Sequence, residues 1–440
     1  MRPMHNIPAR GGIDFDESPF LAIWEVTQSC DLACKHCRAA AQPLPHPDEL
    51  TTAEGKALID QIAAMKIPIF VFTGGDPMKR KDVFDLIRYA SEKGVQVAVT
   101  PSATPLLTRE AIFQMKEAGV VRLGISLDGS TPEIHDAFRG LPGAWARTIQ
   151  AIEWANEAGI PIQVHSTISR HNVNDLDNLC NLFEKLAIVM WNVFLLVPVG
   201  RGQLDDLLTG EEFEQVFAKI YELSRRANFQ IKTTEAMHYR RYLLQHNLEE
   251  KRIGHGHGHP GARPAASSDN AEAVLNGHDS SRANMPAQNV EGASTPEGNA
   301  STYEPGAPTA DAETRNRSWA TRRVNDGKGF VFISHVGNVY PSGFLPIHAG
   351  NIRETPLGEI YRNAPIFKAL RDTSRLEGKC GACEFKEICG GSRARAYAVT
   401  GDPLAPEPCC IYQPKHWDPE LEHQAEAFRH TDTSTTLVSL

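Results

Sequence analysis

The chain has 440 residues, with 45 Lys and Arg against 54 Asp and Glu, and its formal net charge is −9. This length allows two or three domains, and without a basic surplus nucleic acid is a poor default partner. Hydrophobic residues make up 41% of the chain and charged residues 22%. This composition is typical of a globular protein with a substantial core, and it excludes general disorder.

Neither a membrane span nor a secretory signal is expected. The longest apolar stretch, 187–199, is interrupted by Asn192 and is shorter than the roughly 20 residues of a spanning helix. The first residues, MRPMHNIPARGG, lack the apolar core of a secretory signal, so we expect a cytoplasmic protein. In that reducing compartment the nine cysteines need a role other than disulfide formation.

Short apolar runs alternate with helical segments at intervals of about 30 residues, the pattern of successive βα units. The near-continuous apolar character predicts strands buried on both faces of a parallel sheet. Thr51 and Glu54 form a capping-box pattern at the start of the first helix. The six predicted strands are 21–26, 67–73, 95–100, 121–127, 160–167 and 192–197. These units predict an α/β fold, a partial (β/α)6 TIM-like barrel with its functional residues at the carboxyl ends of the strands.

The composition changes after the barrel. The predicted segments are the barrel at 19–235, a disordered low-complexity insertion at 254–316, a β-hairpin connector at 317–350 and a cysteine-containing domain at 351–425. The insertion is rich in Gly, Ala, Ser and Pro, and its His255, His257 and His259 could bind a transition metal weakly. Gly337-Asn338 indicates the turn of the hairpin.

Cys30, Cys34 and Cys37 follow the first predicted strand, where a barrel carries its chemistry. Structural zinc usually takes four ligands, and this loop offers three thiolates. Three thiolates on a [4Fe–4S] cluster leave one iron open, and S-adenosylmethionine (SAM) is the ligand paired with iron–sulfur radical chemistry. The alternative is zinc, with His36 or a distant residue as the fourth ligand.

The spacing C-x-x-x-C-x-x-C resembles the motif of the radical SAM superfamily, with His36 where the family more often has Tyr or Phe. The run TGGDP at 73–77 resembles the GGEP motif of that family, with Asp76 in place of Glu. Its two glycines would let backbone carbonyls reach the ammonium group of SAM, although such a run can also be a plain turn. The resemblance implies SAM-binding roles for Gly74, Gly75, Asp76, Pro77, Ser126, Asp128 and Arg139.

The implied roles of the last three residues differ. Ser126 and Asp128 would lie close to the ribose and the methionine part of SAM. Arg139 would pair with the SAM carboxylate, since a guanidinium fork suits a carboxylate. The alternative for Arg139 is a solvated charge at a helix end.

A second group of cysteines near the end of the chain resembles the SPASM extension of radical SAM enzymes, which carries auxiliary [4Fe–4S] clusters. Ser342 and Ser392 stand where related sequences often have Cys, so we expect one auxiliary cluster and two clusters in all. The preferred ligands are Cys380, Cys383, Cys389 and Cys410. Cys409 is the alternative to Cys410, and structural zinc is the alternative to the cluster.

The runs WEVTQSCDLACKHCRAAA at 24–41 and CGGSRARAYAVTGDP at 389–403 most closely resemble the branch of the superfamily that serves the biosynthesis of haem b and d-type haem. The resemblance implies cleavage of SAM to a 5'-deoxyadenosyl radical and reduced ferredoxin or flavodoxin as electron donor. It also implies a small-molecule substrate of the haem or porphyrin type, which would lose carbon dioxide from a propionate. Arg393 and Arg395 would meet propionate carboxylates, face water or hold the cluster loop together. The alternatives are a peptide-modifying radical SAM/SPASM maturase and a non-catalytic zinc or electron-transfer protein.

Overall fold

The structure is a computed structural model, and it describes residues 13–254 and 323–418. Within these ranges, ten strands form one sheet in the order β10-β9-β8-β1-β2-β3-β4-β5-β6-β7. The strands are β1 (Leu21–Glu25), β2 (Ile69–Thr73), β3 (Val97–Val99), β4 (Val120–Ser126), β5 (Ile162–Ile168), β6 (Met190–Leu195), β7 (Gln230–Thr234), β8 (Phe330–Ile333), β9 (Asn338–Tyr340) and β10 (Gly350–Asn351).

Strands β1 to β7 are parallel and follow one another across the sheet in chain order. Strand β8 pairs with β1, also in parallel, and β9 and β10 continue the sheet in antiparallel fashion. The predicted α/β fold with a TIM-like partial barrel is confirmed. The strand β7 was not predicted, so the parallel series contains seven successive strands rather than six.

Helices connect the parallel strands. They are α1 (Thr52–Ala64), α2 (Val83–Glu92), α3 (Arg109–Glu117), α4 (Pro132–Arg139), α5 (Ala144–Glu157), α6 (Leu176–Phe183), α7 (Gly210–Arg226) and α8 (Tyr239–Gly254). After the sheet come α9 (Leu357–Asn363), α10 (Pro365–Arg371), α11 (Gly378–Ala382) and α12 (Arg393–Thr400). The capping box of α1 is present, with the amide of Thr51 donating to Glu54 Oε2 at 2.7 Å.

The core lies between the sheet and these helices. Trp24, Phe70 and Phe72 are fully buried there, and the ring centroids of Trp24 and Phe72 are 5.6 Å apart. Gly55 of α1 lies so close to Trp24 that an added Cβ would be 2.7 Å from the indole ring. The packing of the first helix on the sheet therefore depends on this small residue.

The chain divides into one unit of residues 1–246 with 311–440 and a second unit of 247–310. The predicted disorder of the insertion, and its His255, His257 and His259, lie outside the described residues, as does the N-terminal segment 1–12. The segment boundaries stay predictions. In the described part of the chain, no helix is both long and apolar enough to cross a membrane.

Candidate functional site

The carboxyl ends of β1 to β6 surround a cavity with about 1150 Å³ of empty space, part of it open to solvent. We call it the strand-end cavity. Its wall includes Cys30, Cys34, Cys37, Gly74, Gly75, Ser102, Ser126, His135, Arg139, His165, Phe194, Arg201 and Phe344. Parallel strands bring their carboxyl ends to one edge of a sheet, so residues far apart in sequence meet here.

The three cysteines of the first group all face this cavity. Cys30 and Cys34 are buried, and burial raises the pKa of the Cys30 thiol. The amide of Leu32 donates to Cys30 Sγ at 3.4 Å, and Arg139 Nη1 donates to Cys34 Sγ at 3.6 Å. Donors of this kind stabilise thiolates bound to a metal, and a buried thiol needs a nearby cation to ionise. The thiols therefore fit an iron–sulfur cluster.

His36 occupies the aromatic position of the cysteine motif. Its ring stacks on Phe138 with centroids 4.4 Å apart and planes at 9°. Burial, followed by the charges of Arg139 and Arg201, lowers the pKa of His36 well below its usual value. The imidazole is therefore neutral at physiological pH and packs as an aromatic ring would.

Gly74 and Gly75 line the cavity, and both pack tightly against the start of the cysteine loop. A Cβ on Gly74 would be 2.6 Å from Thr27 O, and one on Gly75 would be 2.6 Å from Gln28 O. The amide of Gly75 donates to Thr27 O at 2.8 Å. Because these two residues have no side chains, the loop after β2 can form a hydrogen bond to the backbone just before Cys30.

Asp76 and Pro77 are buried but do not line the cavity. Asp76 caps a short 3-10 helix through the amide of Met78 at 3.1 Å and accepts a hydrogen bond from Thr104 Oγ1 at 2.7 Å. It also accepts the amide of Ser102 at 3.3 Å. The structure therefore gives Asp76 a role in fixing two loops of the cavity, while its contact with SAM stays a prediction.

Ser126 faces the cavity, whereas Asp128 is fully buried behind it. Asp128 Oδ2 lies 2.6 Å from Arg139 Nη2, and Oδ1 accepts the amide of Thr167 at 2.7 Å. Arg139 is therefore no solvated surface charge, because its guanidinium joins a buried carboxylate to the thiol of Cys34. Its pairing with a SAM carboxylate stays a prediction.

A second cavity, with about 400 Å³ of empty space, lies among the C-terminal cysteines. We call it the cysteine cavity. The thiols of Cys380, Cys383, Cys389 and Cys410 belong to residues that line it. Cys409 does not line it; this residue is buried in the main core with Sγ 3.8 Å from Leu208 O. The structure brings together the four preferred cysteines and separates them from Cys409.

Backbone amides surround the thiols of the cysteine cavity. Cys380 Sγ accepts from the amide of Glu407 at 3.3 Å, and Cys383 Sγ accepts from that of Phe385 at 3.4 Å. The amide of Gly391 donates to Cys389 Sγ at 3.3 Å. N–H donors to sulfur are the usual surroundings of an iron–sulfur cluster and tune its reduction potential.

Cationic side chains also line the cysteine cavity. Arg241, Lys379 and Lys386 are among its wall residues. Four thiolates around a [4Fe–4S] core carry net negative charge, which these cations would offset. The donor set and the charge around it therefore fit a cluster held by four cysteines.

The two arginines between Cys389 and Cys410 in sequence are buried, which corrects the expectations that they face propionates or water. Arg393 is 1% exposed and Arg395 is 0% exposed. Arg393 donates to Ala405 O at 2.7 Å, and Arg395 donates to Leu196 O at 3.1 Å. Both side chains hold the loop of the cysteine cavity in place.

The two serines at positions where related chains often have Cys contact buried carboxylates instead. The hydroxyl of Ser392 donates to Glu235, and Ser342 is hydrogen-bonded to Asp326. The side chains of Glu235 and Asp326 also share a hydrogen bond. Burial raises the pKa of both carboxyl groups above their usual values.

Sequence reasoning missed a buried charged group beside the first strand. Glu25 Oε2 lies 2.9 Å from Arg38 Nη2, and Glu25 Oε1 lies 2.7 Å from His335 Nδ1. Burial raises the pKa of Glu25, but Arg38 and His335 outweigh it and the net shift is downward. A Glu inside an apolar strand run was the available signal, because such a charge needs partners.

Within the described ranges, no three His, Cys, Asp or Glu residues form a group that could hold a single metal ion. The cysteines of a cubane cluster bind separate iron atoms around a bulky core. The cysteines around each cavity therefore need not converge on one point, as the ligands of a single metal ion must.

Comparison with known proteins extends these observations. The model of the radical SAM superfamily matches residues 24–183, and that of the iron–sulfur cluster-binding SPASM domain matches residues 325–384. The AdoMet-dependent heme synthase of Methanosarcina barkeri is 37% identical over 402 residues, which cover 91% of this chain and 99% of that protein. The enzyme of the same name from Nitratidesulfovibrio vulgaris is 38% identical over 401 residues, or 91% of this chain and 94% of that protein.

A solved structure of anSMEcpe with bound AdoMet superposes with a TM-score of 0.59 at 13% identity, over 94% of this chain and 98% of that one. This likeness supports the fold alone. The relatives at more than a third identity exclude a non-catalytic zinc or electron-transfer protein. The chain therefore belongs to the radical SAM superfamily, and it is an enzyme that uses SAM and a [4Fe–4S] cluster and carries a SPASM iron–sulfur domain.

Proposed function

We propose that this enzyme converts propionate side chains of an iron porphyrin into vinyl groups, the reaction that would complete haem. The observation that carries the proposal is the similarity to AdoMet-dependent heme synthases along nearly the whole length of both chains. Similarity of this extent covers 91% of this chain and is therefore not limited to one domain.

The reaction removes one hydrogen atom, one electron and carbon dioxide from each propionate and leaves a vinyl group. Reductive cleavage of SAM supplies the 5'-deoxyadenosyl radical that takes the hydrogen atom. The proposed roles of the chain are to hold the first cluster with Cys30, Cys34 and Cys37 and to shield the cavity from water. The proposed contacts of SAM are four residues that line the cavity, Gly74, Gly75, Ser126 and Arg139.

The proposed ligands of the second cluster are Cys380, Cys383, Cys389 and Cys410. A cluster with four protein ligands has no open iron, so it is suited to electron transfer rather than to substrate binding. Held by these four residues, such a cluster would supply a redox centre for the electron that is released with carbon dioxide. We further propose that reduced ferredoxin or flavodoxin in the cytoplasm reduces the first cluster.

The test is anaerobic conversion of iron-coproporphyrin by the reconstituted enzyme with SAM and a reductant. We expect 5'-deoxyadenosine together with porphyrin products that have lost one carbon dioxide and two hydrogen atoms for each side chain converted. The matched control is Cys34→Ala, which should retain the C-terminal iron and form neither product. If the wild type cleaves SAM and leaves the porphyrin unchanged while a peptide is modified, the porphyrin proposal is wrong.

A further inference from the structure

The segment after β6 packs directly on the loop that carries the first three cysteines. Gly200 has a φ of +66°, and a Cβ there would overlap the carbonyl oxygens of Cys37 and Arg38. The amide of the next residue, Arg201, donates to Cys37 O at 3.0 Å. Close backbone contact thus fixes the position of Arg201 relative to the cysteine loop.

The side chain of Arg201 is also fixed in position, but only part of its hydrogen-bonding capacity is satisfied. Its Nε donates to Cys34 O at 2.9 Å, and its Nη2 is buried without a hydrogen-bond partner in the described part of the chain. The other two arginines of the strand-end cavity each have a carboxylate partner, because Arg38 pairs with Glu25 and Arg139 pairs with Asp128. Nε of Arg139 also lacks a hydrogen-bond partner among the described residues, so what sets Arg201 apart is that it has no ion pair with a described carboxylate. Leaving a buried charged donor unsatisfied is costly, and a carboxylate is the ligand that a guanidinium satisfies best.

The strand-end cavity also has aromatic rings in its wall. The rings of His165 and Phe194 stack with centroids 5.4 Å apart, and the ring of Phe344 lies 6.1 Å from that of Phe194. All three line the strand-end cavity with Arg201. Burial lowers the pKa of His165 to about 3, so its ring is neutral and suited to stacking. The combination suits a flat, apolar ligand that carries a carboxylate at its edge.

We propose that Arg201 binds a propionate carboxylate of the porphyrin substrate and thereby places the adjacent methylene carbons in the strand-end cavity. This inference rests on the proposed function and names the residue that recognises the substrate. SAM carries a carboxylate too, so the test must separate the two ligands. Arg139, which contacts Cys34 Sγ, is the guanidinium that we assign to the SAM side.

The test measures binding to the reconstituted holoenzyme without reductant. Iron-coproporphyrin III and its tetramethyl ester are titrated by absorbance, and SAM is titrated by equilibrium dialysis. The variants are Arg201→Gln, which removes the charge, and Arg201→Lys, which keeps it without the fork. Arg170→Gln is the matched control, because Arg170 pairs with Glu212 at 3.2 Å on the surface. Iron content and melting temperature verify that each variant is folded.

We expect Arg201→Gln to weaken binding of the free porphyrin acid by about ten- to a hundredfold, the range of a charged hydrogen bond. Binding of the ester and of SAM should change less than about threefold, and Arg201→Lys should recover part of the loss. Unchanged affinity for the acid would overturn the inference, as would a loss confined to SAM, which would assign Arg201 to the methionine carboxylate. If the wild type binds no porphyrin, the proposed function itself fails, and the inference fails with it.

Discussion

Arg395 and Glu407 form an ion pair inside the protein, with 3.1 Å between Nη1 and Oε1 and side-chain exposures of 0% and 1%. The same guanidinium donates to Leu195 O at 3.1 Å, and Leu195 lines the strand-end cavity. The amide of Glu407 donates to Cys380 Sγ at 3.3 Å. The pair therefore connects the wall of one cavity directly to a thiol of the other.

Replacing Arg395 by Met should destabilise the protein strongly. The change leaves the Glu407 carboxylate buried without its main partner, which typically costs about 3 to 5 kcal/mol in the free energy of unfolding. Arg170→Met, at the exposed pair with Glu212, should cost less than about 1 kcal/mol. Urea denaturation of the anaerobic proteins measures both values. Equal costs for the two variants would contradict a stabilising role for the buried pair.

Glu235 should make the stability fall as the pH rises. Burial, with Asp326 as a second cause, raises the pKa of Glu235 well above its usual value of 4.5. Above that pH the unfolded chain loses a proton that the folded protein retains, so stability is complete below about pH 4.5 and decreases toward the folded pKa. Glu235→Gln removes this dependence and keeps an uncharged hydrogen-bonding group facing Ser392.

The measurement for Glu235 is urea denaturation of wild type and Glu235→Gln from about pH 5 to about pH 8. The advantage of the variant should grow by about 1.4 kcal/mol per pH unit until the folded pKa is reached. Arg395 and Glu407 also face this carboxyl group, but they are present in both proteins. A difference that is constant with pH would contradict the prediction.

His135 should have the opposite effect on stability. Burial, with Arg139 as a second cause, lowers the pKa of His135 from 6.5 to about 3. Between these values the unfolded chain binds a proton that the folded protein excludes, so stability that is complete above about pH 6.5 is lost as the pH falls. The neutral ring accepts the amide of Asp128 through Nδ1 at 3.0 Å.

His135→Gln offers an acceptor that does not titrate. Below about pH 6.5 the wild type should lose stability faster than this variant, by as much as about 1.4 kcal/mol per pH unit. Denaturation from about pH 7 to about pH 5 tests the difference. His165 and His238 are present in both proteins, so their contributions to the pH dependence of stability cancel in the comparison. Parallel curves would show that His135 retains a normal pKa.

Gly75→Ala should prevent correct packing of the cysteine loop. The added methyl group would overlap Ser29 O and lie 2.6 Å from Gln28 O, and backbone atoms cannot move aside as a flexible side chain can. We expect loss of the iron bound by the first three cysteines. The control is Gly94→Ala, where nothing lies within 4 Å and only the φ of +79° opposes a side chain, at about 1 to 2 kcal/mol. Iron analysis distinguishes the two variants.

The barrel could be predicted because most of its strands are apolar runs that alternate regularly with helical segments. The strand β7 (Gln230–Thr234) was missed because its sequence, QIKTT, alternates polar residues and has no such run. Its place in the sheet comes from pairing with β6, in which Trp191 and Val193 are fully buried. Tertiary pairing decided its conformation, and local composition did not.

The cysteines could be assigned to two groups from their spacing, but the environment of the arginines could not be predicted. In sequence, Arg393 and Arg395 are part of a basic stretch typical of a surface. In the structure, Arg395 contacts the carbonyl oxygens of Leu195, Leu196 and Glu235, which precede it by 160 residues or more. Long-range partners of this kind leave no local pattern, so burial of the charge was not detectable.

The choice between Cys409 and Cys410 provides the last prediction. Burial raises the pKa of Cys409 to about 12, and its thiol lies in the apolar core beside Leu208 O. Cys410 is a wall residue of the cysteine cavity, with Cys380, Cys383 and Cys389. The chain turns here, with the amide of Cys410 donating to Glu407 O at 3.3 Å, and of the two neighbours only Cys410 lines the cavity.

Cys410→Ala should therefore remove a ligand of the second cluster and reduce the iron content from about eight to about four atoms per chain. Cys409→Ala should keep about eight atoms and lose roughly 1 kcal/mol of stability through the smaller core side chain. Iron analysis and electron paramagnetic resonance of the reduced proteins measure both results, since the two clusters contribute separate signals. Loss of the second signal in Cys409→Ala with its retention in Cys410→Ala would reverse the assignment. In that case the loop that follows Glu407 must rotate when the cluster binds, and the core contact of Cys409 with Leu208 would be broken in the holoenzyme.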